Sequence, residues 1–181
     1  MYISLNREWQ FADESGKIKT VDLPHDAMIT EKRRAACRSG KQNAFFPGGK
    51  YSYSRTINIP QKDLSKRISL FFEGVYRNAE VYVNGKFVGG HKNGYSEFEV
   101  DITSAVKDGA NEVKVTVDNS LVPNCRWYTG SGIYRPVWLK TEGENAPKTL
   151  KITTLSYSPA RIKVEADEGA KIKISDGENV I

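Results

Sequence analysis

The stretch CRWYTGSGIYRPVWL, Cys125–Leu139, holds two tryptophans, two tyrosines, two arginines and two glycines. Large rings beside cations can do one kind of work on a surface. The C–H faces of a sugar ring stack on an aromatic plate, and a guanidinium donates hydrogen bonds to hydroxyls. The same rings can instead pack a core or fill an interface between domains. On that second reading Trp138 and Ile133 belong to the core and Trp127 meets another domain. The residue types alone leave both readings open.

Carboxylates are the other candidates. Hydrolysis of a glycoside uses two carboxyl groups, about 5–5.5 Å apart when configuration is retained. The chain has 22 acidic residues, and no spacing singles out a pair. Glu73 follows an apolar run and is expected to be partly buried. Asp101 reads as a cap on the turn that follows it, and Asp118-Asn119 as the end of a strand. There is no G-x-S-x-G elbow, phosphate-binding loop or H-E-x-x-H. The only histidines, His25 and His91, and the only cysteines, Cys37 and Cys125, lack metal-ligand spacing. No catalytic residue, metal or cofactor is therefore assigned to this chain. The thiols are expected to be reduced, with one bridge open to them if the fold brings them together.

The elements that must carry these residues are strands. Apolar residues alternate with polar ones in RISLFFEG (Ile68, Leu70, Phe72) and in NEVKVTVDN (Val113, Val115, Val117), the pattern of antiparallel strands with one wet face. KYSYSRTINIP reads as a strand stopped by Pro60, and RPVWLKTE as another. Asn84-Gly85 between two β-rich runs predicts a type I′ hairpin, because both residues tolerate positive φ. Helix is confined to scraps. DITSAVKDG predicts one or two turns stopped at Gly109, TEKRRAACR fits a short helix or a loop, and AFFPGGK is a turn. Many short strands with frequent turn signals give an all-β, antiparallel jelly roll or sandwich. It is expected over residues 1–143. After the connector GENAPK, three alternating segments suggest the first strands of a second sandwich over 144–181. Its length of about 35 residues is short of the roughly 40 that a lone core needs, so the chain reads as stopping inside that second domain.

The net charge of +5 is spread along strand-like segments instead of gathering on one face, which argues against nucleic acid as a partner. No run approaches the roughly 20 apolar residues of a membrane span. No apolar leader follows Met1, so the expected compartment is the cytoplasm; a secreted or periplasmic protein with its signal removed would read alike.

Several motifs now occur in order: LNREWQF, VDLPHDAMI, FFPGGKYSYSRTINIP, LFFEGVYRNAEVYVNGKFVGGHKNGYSEFEVDIT, VKDGANEVKVTVDNS and RWYTGSGIYRPVWL. Together they resemble the N-terminal, sugar-binding domain of family 2 glycoside hydrolases, over about Leu5 to Leu139. The SGIYRPVWL end is similar to bacterial β-galactosidase-like members. The resemblance implies a galactose-binding-domain-like jelly roll, then an immunoglobulin-like sandwich, then a TIM barrel holding two catalytic glutamates. A barrel takes about 250 residues, so the glutamates are expected outside this chain, which alone is expected to be inactive.

The resemblance further implies a β-glycoside as the substrate of the full-length enzyme, the barrel as this domain's partner, and oligomers as a common state. Some members extend residues of this domain to the rim of the active site. An acidic residue just before the aromatic pair touches substrate in several, and Arg126 takes that position here. Arg126, Trp127, Tyr128 and Tyr134 are thus the rim or interface candidates. Arg7 departs from a glycine common in the opening motif, and the insert Glu31–Asn43 has no clear counterpart. Two other readings remain: a carbohydrate-binding module that acts alone, and a module that serves only domain or subunit packing.

Overall fold

Alternation becomes two antiparallel sheets. The structure, a computed structural model, describes residues 1–37, 39–121, 125–143, 146, 150–176 and 179–180. The first ten strands are β1 (Tyr2–Ser4), β2 (Trp9–Ala12), β3 (Ile18–Val21), β4 (Lys50–Ile59), β5 (Arg67–Phe72), β6 (Ala79–Val83), β7 (Lys86–His91), β8 (Phe98–Asp101), β9 (Gly109–Asp118) and β10 (Val137–Glu142). One sheet has the order β3-β2-β4-β9-β6-β7, the other β1-β10-β5-β8. Non-sequential neighbours in both sheets are the mark of a jelly-roll sandwich, not of a meander.

The inner faces share one core. Trp9, Tyr53, Val81 and Val115 from the larger sheet cluster with Ile68, Leu70, Phe72 and Leu139 from the smaller. Trp9, Tyr53 and Phe72 have no solvent exposure, and full burial of a side chain such as Phe72 is worth about 1.5–3 kcal/mol. The expected triplets, Ile68/Leu70/Phe72 and Val113/Val115/Val117, all face inward. At the β6–β7 hairpin, Asn84 and Gly85 have φ of 50° and 79°, both positive as a type I′ turn requires.

Two local expectations change. DITSAVKDG makes a single hydrogen-bonded turn, Ile102 O accepting from Ala105 N and Val106 N, and no helix. Ile102 is drawn fully into the core, and Thr103 Oγ1 accepts from Ile68 N of β5 at 2.9 Å, so both residues are claimed by tertiary contacts. Gly109, with φ +79°, opens β9 instead of stopping a helix. Residues 30–37 of TEKRRAACR take the loop alternative, and a 3-10 turn follows at Gly40–Asn43. Trp138 does not enter the core: it is half-buried, and its indole N–H donates to Glu73 Oε1 at 2.7 Å. Ile133 is wholly buried.

The chain divides into two compact units, Met1–Gly143 and Glu144–Ile181. In the second, β11 (Leu150–Tyr157) pairs antiparallel with β12 (Ala160–Ala166), with a register shift between Thr154 and Ser156. A two-residue pair, β13 (Ser175–Asp176) with β14 (Asn179–Val180), follows. Leu150, Ile152 and Ile162 of the first hairpin are exposed.

Candidate functional site at the loop end of the sandwich

β4, β6 and β10 begin, and β5, β7 and β9 end, at one end of the sandwich, so the described residues of the loops 22–49, 73–78, 92–97 and 119–136 meet there. The stretch from Cys125 to Arg135 crosses this end. Its second half is locked in place. Gly132 exchanges two backbone hydrogen bonds with Tyr76, at 2.7 and 2.9 Å. Ala27 N donates to Ser131 O and His25 N to Ile133 O. Buried Asn119 donates through Nδ2 to Gly130 O and Ser131 Oγ. Gly132 has φ +110°, and a Cβ there would lie 2.1 Å from the Tyr53 hydroxyl. Only glycine fits both the conformation and the space.

Asp26 is the hub of this anchor. Its Oδ1 accepts from Ser131 N and Met28 N, each at 3.0 Å, and its Oδ2 accepts from the Tyr128 hydroxyl at 2.6 Å. Burial and the Asp26 carboxylate push the Tyr128 phenol well above the usual range, so it stays a hydrogen-bond donor. The Tyr128 ring meets Phe46 edge-on at 5.2 Å, and the Arg33 guanidinium sits 5.7 Å from the Phe46 ring. Next to the hub, His25 Nδ1 and the Tyr53 hydroxyl are 2.9 Å apart. Burial, helped by Lys19 and opposed by Asp26, lowers the His25 imidazole below its ordinary value.

Arg126 and Trp127, in the first half of the stretch, face water. Trp127 is 59% exposed and donates through Nε1 to the Tyr95 hydroxyl at 3.1 Å. Tyr95, itself exposed, packs its ring edge-on against Tyr76. The Tyr134 hydroxyl donates to Gly94 O at 2.7 Å, and the Arg135 guanidinium lies 5.5 Å from the Tyr134 ring. Trp127 and Tyr134 therefore converge on the 93–96 loop. Tyr128 turns away to Asp26, and Arg126 is exposed.

Tyr95 and Asp26 carry much of this geometry, and sequence reasoning gave neither a role. The signals were present: Asp26 lies in the PHD motif, and Tyr95 follows an Asn-Gly turn. The insert also acquires one. Its last residue, Asn43, accepts from Thr129 N and donates to the Met28 sulfur, both at 3.3 Å. Glu31 at its start accepts a short hydrogen bond from the Tyr51 hydroxyl. The insert thus buttresses the aromatic stretch from below. Arg7 pairs with Asp22 at 2.5 Å. Cys37 and Cys125 are free thiols, and among the described residues no three His, Cys, Asp or Glu side chains gather as a metal site. Of the carboxylates, Asp101 Oδ1 accepts from Thr103 N, and Asp118 Oδ1 from Ser120 N and Oγ. Asp26, with three donors, is a positioning group.

Fold and loop end define a β-sandwich module with an anchored aromatic rim. Residues 41–143 match the model of the glycosyl hydrolases family 2 sugar binding domain, and the chain belongs to that family. It is 40% identical over 134 residues to β-galactosidase BoGH2A of Bacteroides ovatus, covering 74% of this chain and 16% of that protein. A β-glucuronidase of Bacteroides fragilis is 31% identical over 193 residues, covering 97% of this chain and 26% of that protein. Among solved structures, a family 2 glycosyl hydrolase from Bacteroides cellulosilyticus superposes with a TM-score of 0.78 at 30% identity, over 91% of this chain and 24% of that one. The chain thus spans between 16% and 26% of the length of these three relatives.

Proposed function

We propose that this chain is the non-catalytic sugar-binding module of an exo-acting, retaining β-glycosidase of the β-galactosidase type. Its loop end walls part of the sugar pocket of a TIM-barrel domain, and the two catalytic glutamates come from that barrel. Arg126, Trp127 and Tyr134 face the barrel or the sugar at its rim, and Tyr128 braces them from behind. The single observation that carries this reading is an exposed indole, Trp127, standing on a loop fixed by Asp26, Asn119 and Gly132. A ring held in place in solvent is preorganised for a partner, since little further ordering is needed on contact. Arg126 adds donors for hydroxyl or carboxylate groups of a glycoside in place of a carboxylate acceptor. The second unit supplies the opening strands of an immunoglobulin-like sandwich, a reading supported by the exposed apolar residues of β11 and β12.

Turnover of chromogenic β-galactosides and β-glucuronides tests the proposal. The 181-residue chain gives none above background, whereas the full-length protein hydrolyses one of them with retention of configuration. Turnover by the purified chain, or inversion by the full-length protein, would refute it.

A further inference from the structure

The outer face of the six-stranded sheet holds a groove of about 960 Å³ that reaches the loop end at Asn78, Lys92 and Leu121 but is not lined by Trp127, Tyr95 or Tyr134. The strand register builds it. Ala12 lies beside Ser52, Ser52 beside Thr116, Thr116 beside Glu80, and Glu80 beside Gly90. This row of mostly short residues crosses five strands, so at about 4.8 Å per strand it is about 19 Å long. The far end stays low because a Cβ on Gly90 would lie 2.3 Å from Ala79 O. Longer side chains rise on either side. Lys114, Tyr82 and Phe87 form the neighbouring row, and the Lys50–Asp118 ion pair, 3.4 Å, stands opposite.

The groove's chemistry narrows its occupant. Ser52 and Thr116 bring hydroxyls to the floor. Glu80 Oε2 is held by the Tyr82 hydroxyl at 2.8 Å, which fixes the carboxylate and leaves Oε1 to accept. Phe87 is 56% exposed and lines the groove, with its ring braced edge-on by Tyr82 at 5.6 Å. The lining carries three carboxylates, Asp13, Glu80 and Asp118, against two lysines, Lys50 and Lys92. That near balance does not suit a polyanion, which needs a one-signed cationic track. Alternating acceptors, hydroxyls and a fixed ring suit a chain of neutral hydroxyl-bearing rings.

We infer that this sheet groove binds a neutral oligosaccharide chain, separately from the catalytic pocket to which the rim is assigned. It would hold the polymer from which the enzyme removes terminal sugars. The inference goes beyond the proposed function and can fail without it.

Amide chemical shifts of the isotopically labelled chain test it during titration with neutral β-linked galacto- and gluco-oligosaccharides, from disaccharide to hexasaccharide. Ser52, Glu80 and Thr116 shift and saturate with a Kd of about 1 mM for the longer chains, and affinity rises with length until the groove is filled. Thr116→Arg blocks the floor and weakens binding at least about tenfold; Phe87→Ala, which removes only the ring, weakens it about fivefold. In the full-length protein, Thr116→Arg leaves hydrolysis of a small chromogenic glycoside unchanged, whereas loss of the rim does not. Silent groove amides, shifts confined to Trp127 and Tyr95, binding unaffected by both substitutions, or groove amides protected only by another domain of the full-length protein would each overturn the inference.

Discussion

Ser131, Gly132 and Ile133 are wholly buried, whereas Arg126 and Trp127, a few residues earlier in the same loop, stand in solvent. The buried half spends its backbone on Tyr76, His25 and Ala27. On the exposed side, the Trp127 indole donates to the Tyr95 hydroxyl. Glycines, serine and isoleucine fix the loop; arginine and tryptophan present it. The contrast teaches that a dense aromatic stretch need not be one functional unit. Its rings divide into those that hold the loop and those that the loop holds out.

Substitutions on the two sides should separate them. The largest effect is expected at Gly132. Gly132→Ala forces a positive φ and a contact of 2.1 Å with the Tyr53 hydroxyl, and denaturant unfolding should show a loss of about 3–5 kcal/mol. Asp26→Ala comes next, because Tyr128 O–H and the amides of Met28 and Ser131 lose their acceptor together. The cost should be about 2–3 kcal/mol, and spectrophotometric titration should show the Tyr128 phenol falling back toward its ordinary value. Asp26→Asn, which keeps an acceptor oxygen, should cost less.

A smaller effect is expected from pH. The folded His25 imidazole titrates below its ordinary 6.5, so the folded chain binds fewer protons there than the unfolded one. The stability contributed by neutral His25 is complete above 6.5 and is lost as pH falls through the folded value. Thermal midpoints measured from neutral to mildly acidic pH should decline across that window, and His25→Gln should flatten the decline. Further down, burial raises the Glu142 carboxyl, but hydrogen bonds from Arg67 and Lys140 outweigh it and leave the group below its ordinary 4.5. Its contribution is present above 4.5 and disappears as pH drops through the folded value. The smallest effect belongs to the exposed half: Trp127→Ala should change stability by no more than about 0.5 kcal/mol.

Much of this was legible in the sequence because it is periodic. Val113, Val115 and Val117 alternate with Glu112, Lys114 and Thr116, and both faces follow. Asn84-Gly85 marks its hairpin with the two residues that accept positive φ. What was not legible depends on partners distant in sequence. Nothing local shows that Gly132 must clear Tyr53, or that Tyr128 turns to Asp26. DITSAVKDG has a helix-like cap and stop, but Ile102 is worth more in the core than in a marginal helical turn. Arg126 and Trp127 were legible as surface candidates, and Tyr95, their neighbour across the loop end, was not.

The division of the loop into a fixed base and a presented tip is tested most directly in the full-length protein. The kcat/KM for a chromogenic β-glycoside is compared between wild type and Arg126→Ala/Trp127→Ala, alongside the unfolding midpoint of each. The expected result is a fall of at least about tenfold in kcat/KM with an unchanged midpoint. An unchanged kcat/KM, or a fall matched by a lowered midpoint, would contradict it.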